Sequence, residues 1–505
     1  MIDSKSEWFD ETTNVFRQVL DQVAKNLNDI HSVNYSTRYW NIFLGAWLQQ
    51  FVDMVMIRMR DKSEIIHVPA VASEILPAAS LRAFNENAKS VVFIESLNAD
   101  VFSRINALQA SENLSVSINK DPYYQSKKVK LGRIFSSATY LPRTTEILLQ
   151  LRYCRLPKGL NNSQVSSRTC NHQQRALICK TNRSVSKNAE IVLGLLPKYM
   201  PSAYVEGFDS LFKTQKPWKS KRFPRVIFTA NRHLYDDAFN FWAALATESG
   251  SRLVLAQHGG NYGISEFPSF SERHENLVAD RYITWGWDSV GATYKGFALP
   301  LIGRALHSSQ PNGSLLVVTD QLWKYPRSIF SDMPESSTYL EHLKSTLNGL
   351  QPEIRSDALL RIHHAHQDAA SSQIDWWKQH APDIKQDVGS TDFKTRLNDS
   401  RLVLIAHNGT SIPEAIALNA PSIITWSDSY MKVRKSAEAV FDVLEAAGIF
   451  HRTPESAASF INSIWNDVDG WWSSSATIEA RKQFTNQYAH MVPNPVRFLT
   501  KALQF

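Results

Sequence analysis

Apolar residues recur at three- and four-residue intervals through Phe16, Val19, Leu20, Val23 and Leu27, then become dense between Tyr39 and Met59. That is the helical period, so 8–60 predicts a helical cap or hairpin. The run Ser90-Val91-Val92-Phe93-Ile94 predicts a short buried strand, and the polar, Asn/Ser/Arg-rich stretch 155–190 predicts an irregular insertion. From 225 the texture becomes strand, turn and helix in alternation: strands at 225–230 and 252–256 enclose a helix over 236–248, which makes a βαβ unit. A second series places strands at 314–320, 358–364, 401–407 and 421–426, with helices at about 337–349, about 373–380 and from 411. Residues 475–505 read as helical. The predicted fold class is α/β, with two doubly wound units facing a cleft behind an N-terminal helical segment. The expected division is 1–300, then 301–475 as the nucleotide-binding unit, then 476–505 as a helix crossing back to the first.

Length and composition fit that picture. The chain has 505 residues, 43% hydrophobic and 20% charged, which is the balance of a globular enzyme and too much chain for one ordinary core. Fourteen Trp and 16 Tyr suit a core and also suit carbohydrate, whose C–H faces stack on rings. A formal charge of +7 favours anionic partners. The basic residues are dispersed apart from clusters at 127–130 and 216–222, so no nucleic-acid stripe is indicated. Cys154, Cys170 and Cys179 lack CxxC spacing, which argues against a disulfide framework or zinc ribbon and for a reducing cytosol. The acidic N-terminus has no apolar signal region and no run of 18 uncharged apolar residues appears, so the expectation is a protein neither secreted nor membrane-spanning.

The chemistry is expected where parallel strands end, because ligands of such sheets bind outside their carboxyl edges. After the strand at 401–407 comes Asn408-Gly409-Thr410-Ser411, small and hydroxyl residues that open a helix and leave backbone amides free for an anion such as a nucleotide phosphate. Glu414 in the first turn fits either a ribose contact or a capping acid. After the strand at 252–256 comes Gln257-His258-Gly259-Gly260, where Gly259 and Gly260 let backbone approach a substrate closely. His258 fits an acid or base at a cleft, or a turn histidine capping a carbonyl. His363 and His364, with His366, follow the strand at 358–364; on extended chain they point to different sides, so a cationic rim for phosphate suits them better than a metal. Asp236, Asp237 and Asp320 are carboxylates placed to activate an acceptor, and each is equally an ordinary N-cap or loop acid; the pair Asp236/Asp237 is the preferred candidate. No metal site and no cofactor are predicted.

Taken together, Tyr35-Ser36-Thr37-Arg38-Tyr39-Trp40, Gly45-Ala46-Trp47-Leu48, the 257–263 segment, Thr284-Trp285-Gly286-Trp287, Asn408–Ser411 with Glu414, and Leu418-Asn419-Ala420-Pro421 resemble the leptospiral-type family of surface-carbohydrate transferases. Its layout is similar to GT-B glycosyltransferases, in particular bacterial capsule enzymes using CMP-activated 3-deoxy-octulosonate or nonulosonate sugars. The resemblance implies a nucleotide-sugar donor on the C-terminal unit, a glycan or lipid-linked glycan acceptor on the N-terminal one, no obligatory metal, and a cytoplasmic enzyme with peripheral contact to the inner membrane. The chain departs from the CMP-sugar pattern at His363-His364-Ala365-His366, where those enzymes carry His-Pro. Two other readings remain open here: a CDP-alcohol-dependent glycerol or ribitol phosphate transferase, and a non-catalytic glycan- or nucleotide-binding subunit of an envelope assembly complex.

Overall fold

The computed structural model describes residues 5–60, 77–88, 90–107, 132–153, 169–181, 185–214, 223–288, 291, 293–308, 310–320, 322, 329, 336–362, 367–389 and 391–505. His363, His364 and His366, Cys154 and the basic clusters at 127–130 and 216–222 lie outside the described residues.

Among the described residues the strands form two sheets, both parallel throughout. The first runs β1 (Gly132–Ser136), β2 (Pro224–Thr229), β3 (Arg252–Ala256), β4 (Arg281–Ile283) and β5 (Thr293–Tyr294) in sequence order. The second contains β6 (Ser314–Val318), β7 (Ala358–Arg361), β8 (Lys385–Asp387), β9 (Ser400–Ile405), β10 (Ser422–Thr425) and β11 (Phe450–His451), ordered β11-β10-β9-β6-β7-β8. The chain therefore steps outward from β6 to β8, returns, and steps outward the other way from β9 to β11. This is the dinucleotide-fold order, and its reversal leaves a crevice beyond the carboxyl ends of β6 and β9.

Alternation along each strand explains why both sheets are covered on two faces. In the first, Ile227, Leu253 and Leu255 face a helical core that includes Trp40, Phe43 and Phe241, while Val226, Phe228 and Val254 face Leu149, Leu499 and Ala502. In the second, Leu316, Val403 and Ile405 join that same helical core, while Leu315, Leu402 and Leu404 pack with Leu343, Trp377 and Ile461. One apolar cluster thus reaches both sheets. The helix Pro495–Ala502 returns to the first sheet, where Arg281 donates to the carbonyls of Ala502 and Gln504.

The helix Thr37–Arg60 is long and apolar enough to cross a membrane by length and composition, yet 94% of its most apolar window is buried inside the protein. It is the central helix of the first lobe. Two expectations need correction. The run at 90–94 is not a strand but opens the helix Val91–Ala107, because Leu97 and Val101 continue the helical period set by Phe93 and Ile94. The stretch 155–190 is not uniformly irregular: Asn171 caps the helix His172–Ile178 and Ser186 caps Lys187–Tyr199.

Candidate functional site

The loop after β3 is fixed from within. The Gln257 side chain accepts from the Trp285 amide (2.8 Å) and Trp287 Nε1 (2.7 Å) and donates to the Gly259 carbonyl (2.7 Å). Its backbone carbonyl accepts from Trp285 Nε1 at 3.0 Å. Expected to bind donor, the buried Gln257 has its amide oxygen and nitrogen bonded within the turn that presents His258. Gly263 closes the turn with φ +76°, and a Cβ there would stand 2.5 Å from the Trp287 ring.

That turn meets the loop at the crevice of the second sheet. The Gly260 amide donates to Thr410 Oγ1 at 3.0 Å, and a Cβ on Gly260 would lie 2.4 Å from Thr410 Cα and 2.7 Å from the Gly409 carbonyl oxygen. Asn408 Nδ2 donates to Ser265 Oγ at 2.9 Å, a second tie between the same segments. Alongside, Ser265 and Val433 form a β-bridge, the Arg434 amide donates to the Ile264 carbonyl (2.8 Å), and Arg434 Nη2 pairs with Glu272 at 3.0 Å. The lobes are therefore joined at the edge where both expected loops lie.

On the second-lobe side Asn408 is buried, Gly409 and Ser411 are half-buried, and Thr410 is exposed. Among the described residues the amides of Gly409, Thr410 and Ser411 have no hydrogen-bond acceptor. Ser411 Oγ lies 3.1 Å from His407 Nε2, and burial lowers the His407 ring to about 4, so the imidazole is neutral and the two share one hydrogen bond. Glu414 does not stand free at the crevice; it pairs with Arg304, whose Nε donates to the Pro300 carbonyl at 2.9 Å. Asp320 follows β6 at the switch point, and its amide donates to the Tyr339 hydroxyl at 2.8 Å.

Asp236 and Asp237 are placed differently from the loops. Asp236 caps the helix Asp237–Glu248 through the Phe239 amide (3.0 Å) and pairs with Arg232 at 2.7 Å. Asp237 accepts from the Tyr204 hydroxyl (2.7 Å) and the Leu81 amide (2.8 Å), and burial raises its carboxyl to about 6. Both are buried with their oxygens in structural bonds.

The carboxylate beside His258 is Glu275, which sequence reasoning passed over. Its Oε1 is hydrogen-bonded to His233 Nε2 at 3.0 Å and lies 3.3 Å from His258 Nδ1, an ion-pair contact without hydrogen-bond alignment, and Glu275 itself is 0% exposed. Burial pushes that carboxyl up, but His258 and then His233 outweigh it and hold it at about 2. Tyr262 Oη sits 3.4 Å from His258 Nε2, and burial raises the phenol well above its usual range. Of the three groups on this axis only His258 reaches out, with 19% of its side chain exposed against 0% for Glu275 and 5% for His233. The available signal was local: Ser269 caps the helix Phe270–Val278 with Glu272 at the capping-box position, and Glu275 lies one turn on from Glu272 on the same face.

The sequence model of the LIC12162 family transferase matches residues 3–503. No curated protein matches the chain. A solved structure described as a UDP-N-acetylglucosamine 2-epimerase from Listeria monocytogenes aligns at 9% identity and a TM-score of 0.35, over 58% of this chain and 75% of that one.

Proposed function

The chain belongs to the LIC12162 transferase family, and from that premise we propose that it moves a sugar from a nucleotide donor to a hydroxyl of a surface-glycan precursor at the cytoplasmic face of the membrane. One observation carries this reading: the histidine turn after β3 and the open-amide loop after β9 touch, through Gly260 and Thr410. An anionic leaving group and an acid/base side chain are thereby offered to one another at the mouth of a switch-point crevice. The amides of 409–411 take the donor phosphate, and fixed donors stabilise the charge that develops on it as the sugar departs. His258 removes the acceptor proton. Asp236 and Asp237 hold the fold of the first lobe and take no part in the step.

The donor class is a CMP-, CDP-, UDP- or GDP-linked compound, with a CMP-linked nonulosonate or 3-deoxy-octulosonate as the first to try. A thermal-shift screen against CMP, CDP, UDP and GDP identifies the nucleotide, since a ligand bound only by the folded form raises Tm. Turnover of the matching nucleotide sugar then falls about 10²–10⁴-fold in His258→Gln, the usual share of a general base. Product mass distinguishes sugar transfer from transfer of glycerol or ribitol phosphate. Saturable nucleotide binding with no turnover of any donor, or full turnover in His258→Gln, overturns the proposal.

A further inference from the structure

We propose that Glu275 is the positioning residue of His258, and that the two form an acid/base dyad: His258 Nδ1, 3.3 Å from the carboxylate and without a hydrogen-bond partner among the described residues, turns its N–H onto Oε1 so that Nε2 receives the proton of an acceptor alcohol. This rests on the reading of His258 above and deepens it. The helix Phe270–Val278 carries three buried charged side chains with different partners. Glu272 pairs with Arg434 and Arg273 with Asp53, both permanent cations against carboxylates. Glu275 pairs with two imidazoles, His233 and His258. Unlike a guanidinium, an imidazole can serve as either proton donor or proton acceptor. A fully buried carboxylate needs a compensating charge, and this one is set to respond whenever an imidazole beside it takes a proton.

The geometry gives the direction of proton movement. His233 lies behind, buried, with its carbonyl accepting from Asn240 Nδ2 at 2.8 Å. Other groups facing the carboxylate are Tyr262 and Tyr282, both buried with phenols raised well above their usual range by burial and then, for each, by the charge of Glu275; they remain protonated. His274, also facing it, is lowered to about 3 by burial and stays neutral. His258 connects this buried cluster to the turn that touches Thr410. Its Nε2 has the Tyr262 hydroxyl at 3.4 Å, the outer edge of hydrogen bonding, a contact that a substrate hydroxyl can replace. In the step itself the acceptor oxygen bonds the donor's anomeric carbon, and the bond from that carbon to the phosphate oxygen breaks with its electron pair leaving on phosphate. The acceptor proton passes to Nε2, and the resulting imidazolium is neutralised by Glu275.

The test begins without any ligand. In ¹⁵N-histidine-labelled full-length protein at alkaline pH, the His258 ring, assigned by loss of its signal in His258→Gln, shows the Nδ1–H tautomer. In Glu275→Gln that preference disappears, kcat for nucleotide release from the nucleotide-sugar panel falls about 10²–10⁴-fold with KM unchanged, and Glu275→Asp recovers part of the loss. An Nε2–H tautomer in the unmodified protein overturns the dyad even if the variants do not fold. Full kcat in Glu275→Gln beside an inactive His258→Gln removes the dyad and leaves the site. Full activity in His258→Gln removes the site reading itself.

Discussion

Gly260→Ala is the substitution that separates contact between the loops from mere proximity. The new Cβ would stand 2.4 Å from Thr410 Cα, 2.6 Å from its amide nitrogen and 2.7 Å from the Gly409 carbonyl oxygen, all backbone atoms that no side-chain rotation can clear. The two loops must separate by about 1 Å to reach ordinary contact, and the Gly260–Thr410 bond, now 3.0 Å, stretches with them. Overpacking of this kind costs about 1–3 kcal/mol, and the lost hydrogen bond about 1 kcal/mol more. Displacement by about 1 Å between catalytic groups costs on the order of 10²-fold in rate. Gly259→Ala is the matched control: its Cβ would meet Tyr262 Cε2 at 3.5 Å and Thr410 Oγ1 at 3.7 Å, ordinary distances. Differential scanning calorimetry and nucleotide release on both variants should show a Tm a few degrees lower and turnover about 100-fold lower for Gly260→Ala, with Gly259→Ala near the parent in Tm. A Gly260→Ala protein that loses stability and keeps its rate refutes the reasoning, because the loop contact would then hold the fold without aligning the chemistry.

The buried Asp53–Arg273 pair, with side chains 0% and 5% exposed, predicts that Asp53→Ala costs roughly 3–5 kcal/mol by urea unfolding, since it strands a guanidinium in the core; Asp53→Leu with Arg273→Met recovers most of that. Less than about 1 kcal/mol for Asp53→Ala would contradict this. Acid stability follows from His31, His342 and His407, each lowered by burial to about 4, and from His274, lowered to about 3. Their neutral forms contribute stability that is complete above the unfolded value near 6.5 and is lost as pH falls towards 4, about 1.4 kcal/mol per unit of each shift. Tm should therefore drop steeply from pH 6.5 to 4, and His31→Asn should lessen the slope. Asp237, raised to about 6 by burial, works oppositely: its contribution is complete below about 4 and is lost as pH rises through about 6, so Asp237→Asn should remove a small opposing slope in unfolding measured across that interval.

Much of the fold was legible because parallel strands buried on two faces are continuous apolar runs bounded by turns. The strands at 252–256, 314–318 and 422–425 and the helix from 411 stand where the residues suggested. Edge elements were not: β8 is the polar Lys385-Gln386-Asp387 and β11 only Phe450-His451, and neither has enough residues to show a period. The helix Val91–Ala107 was mistaken for a strand because its first four residues are all apolar, a run that either structure accepts. At the site, the Gly-rich turn and the Asn408–Ser411 loop announced themselves through composition. Glu275 did not, since Ser271-Glu272-Arg273-His274-Glu275-Asn276 reads as a solvated helix face. Burial of that face follows from packing against the helix Thr37–Arg60, a long-range contact absent from any local pattern.

The central claim is that a donor phosphate binds the amides of 409–411 beside the histidine turn. Amide hydrogen exchange of the full chain with and without saturating nucleotide, using whichever of CMP, CDP, UDP or GDP raises Tm, tests it directly. Slowed exchange in both 257–263 and 407–414 is the predicted result. Protection confined to other segments, with these two unchanged at saturation, would contradict it.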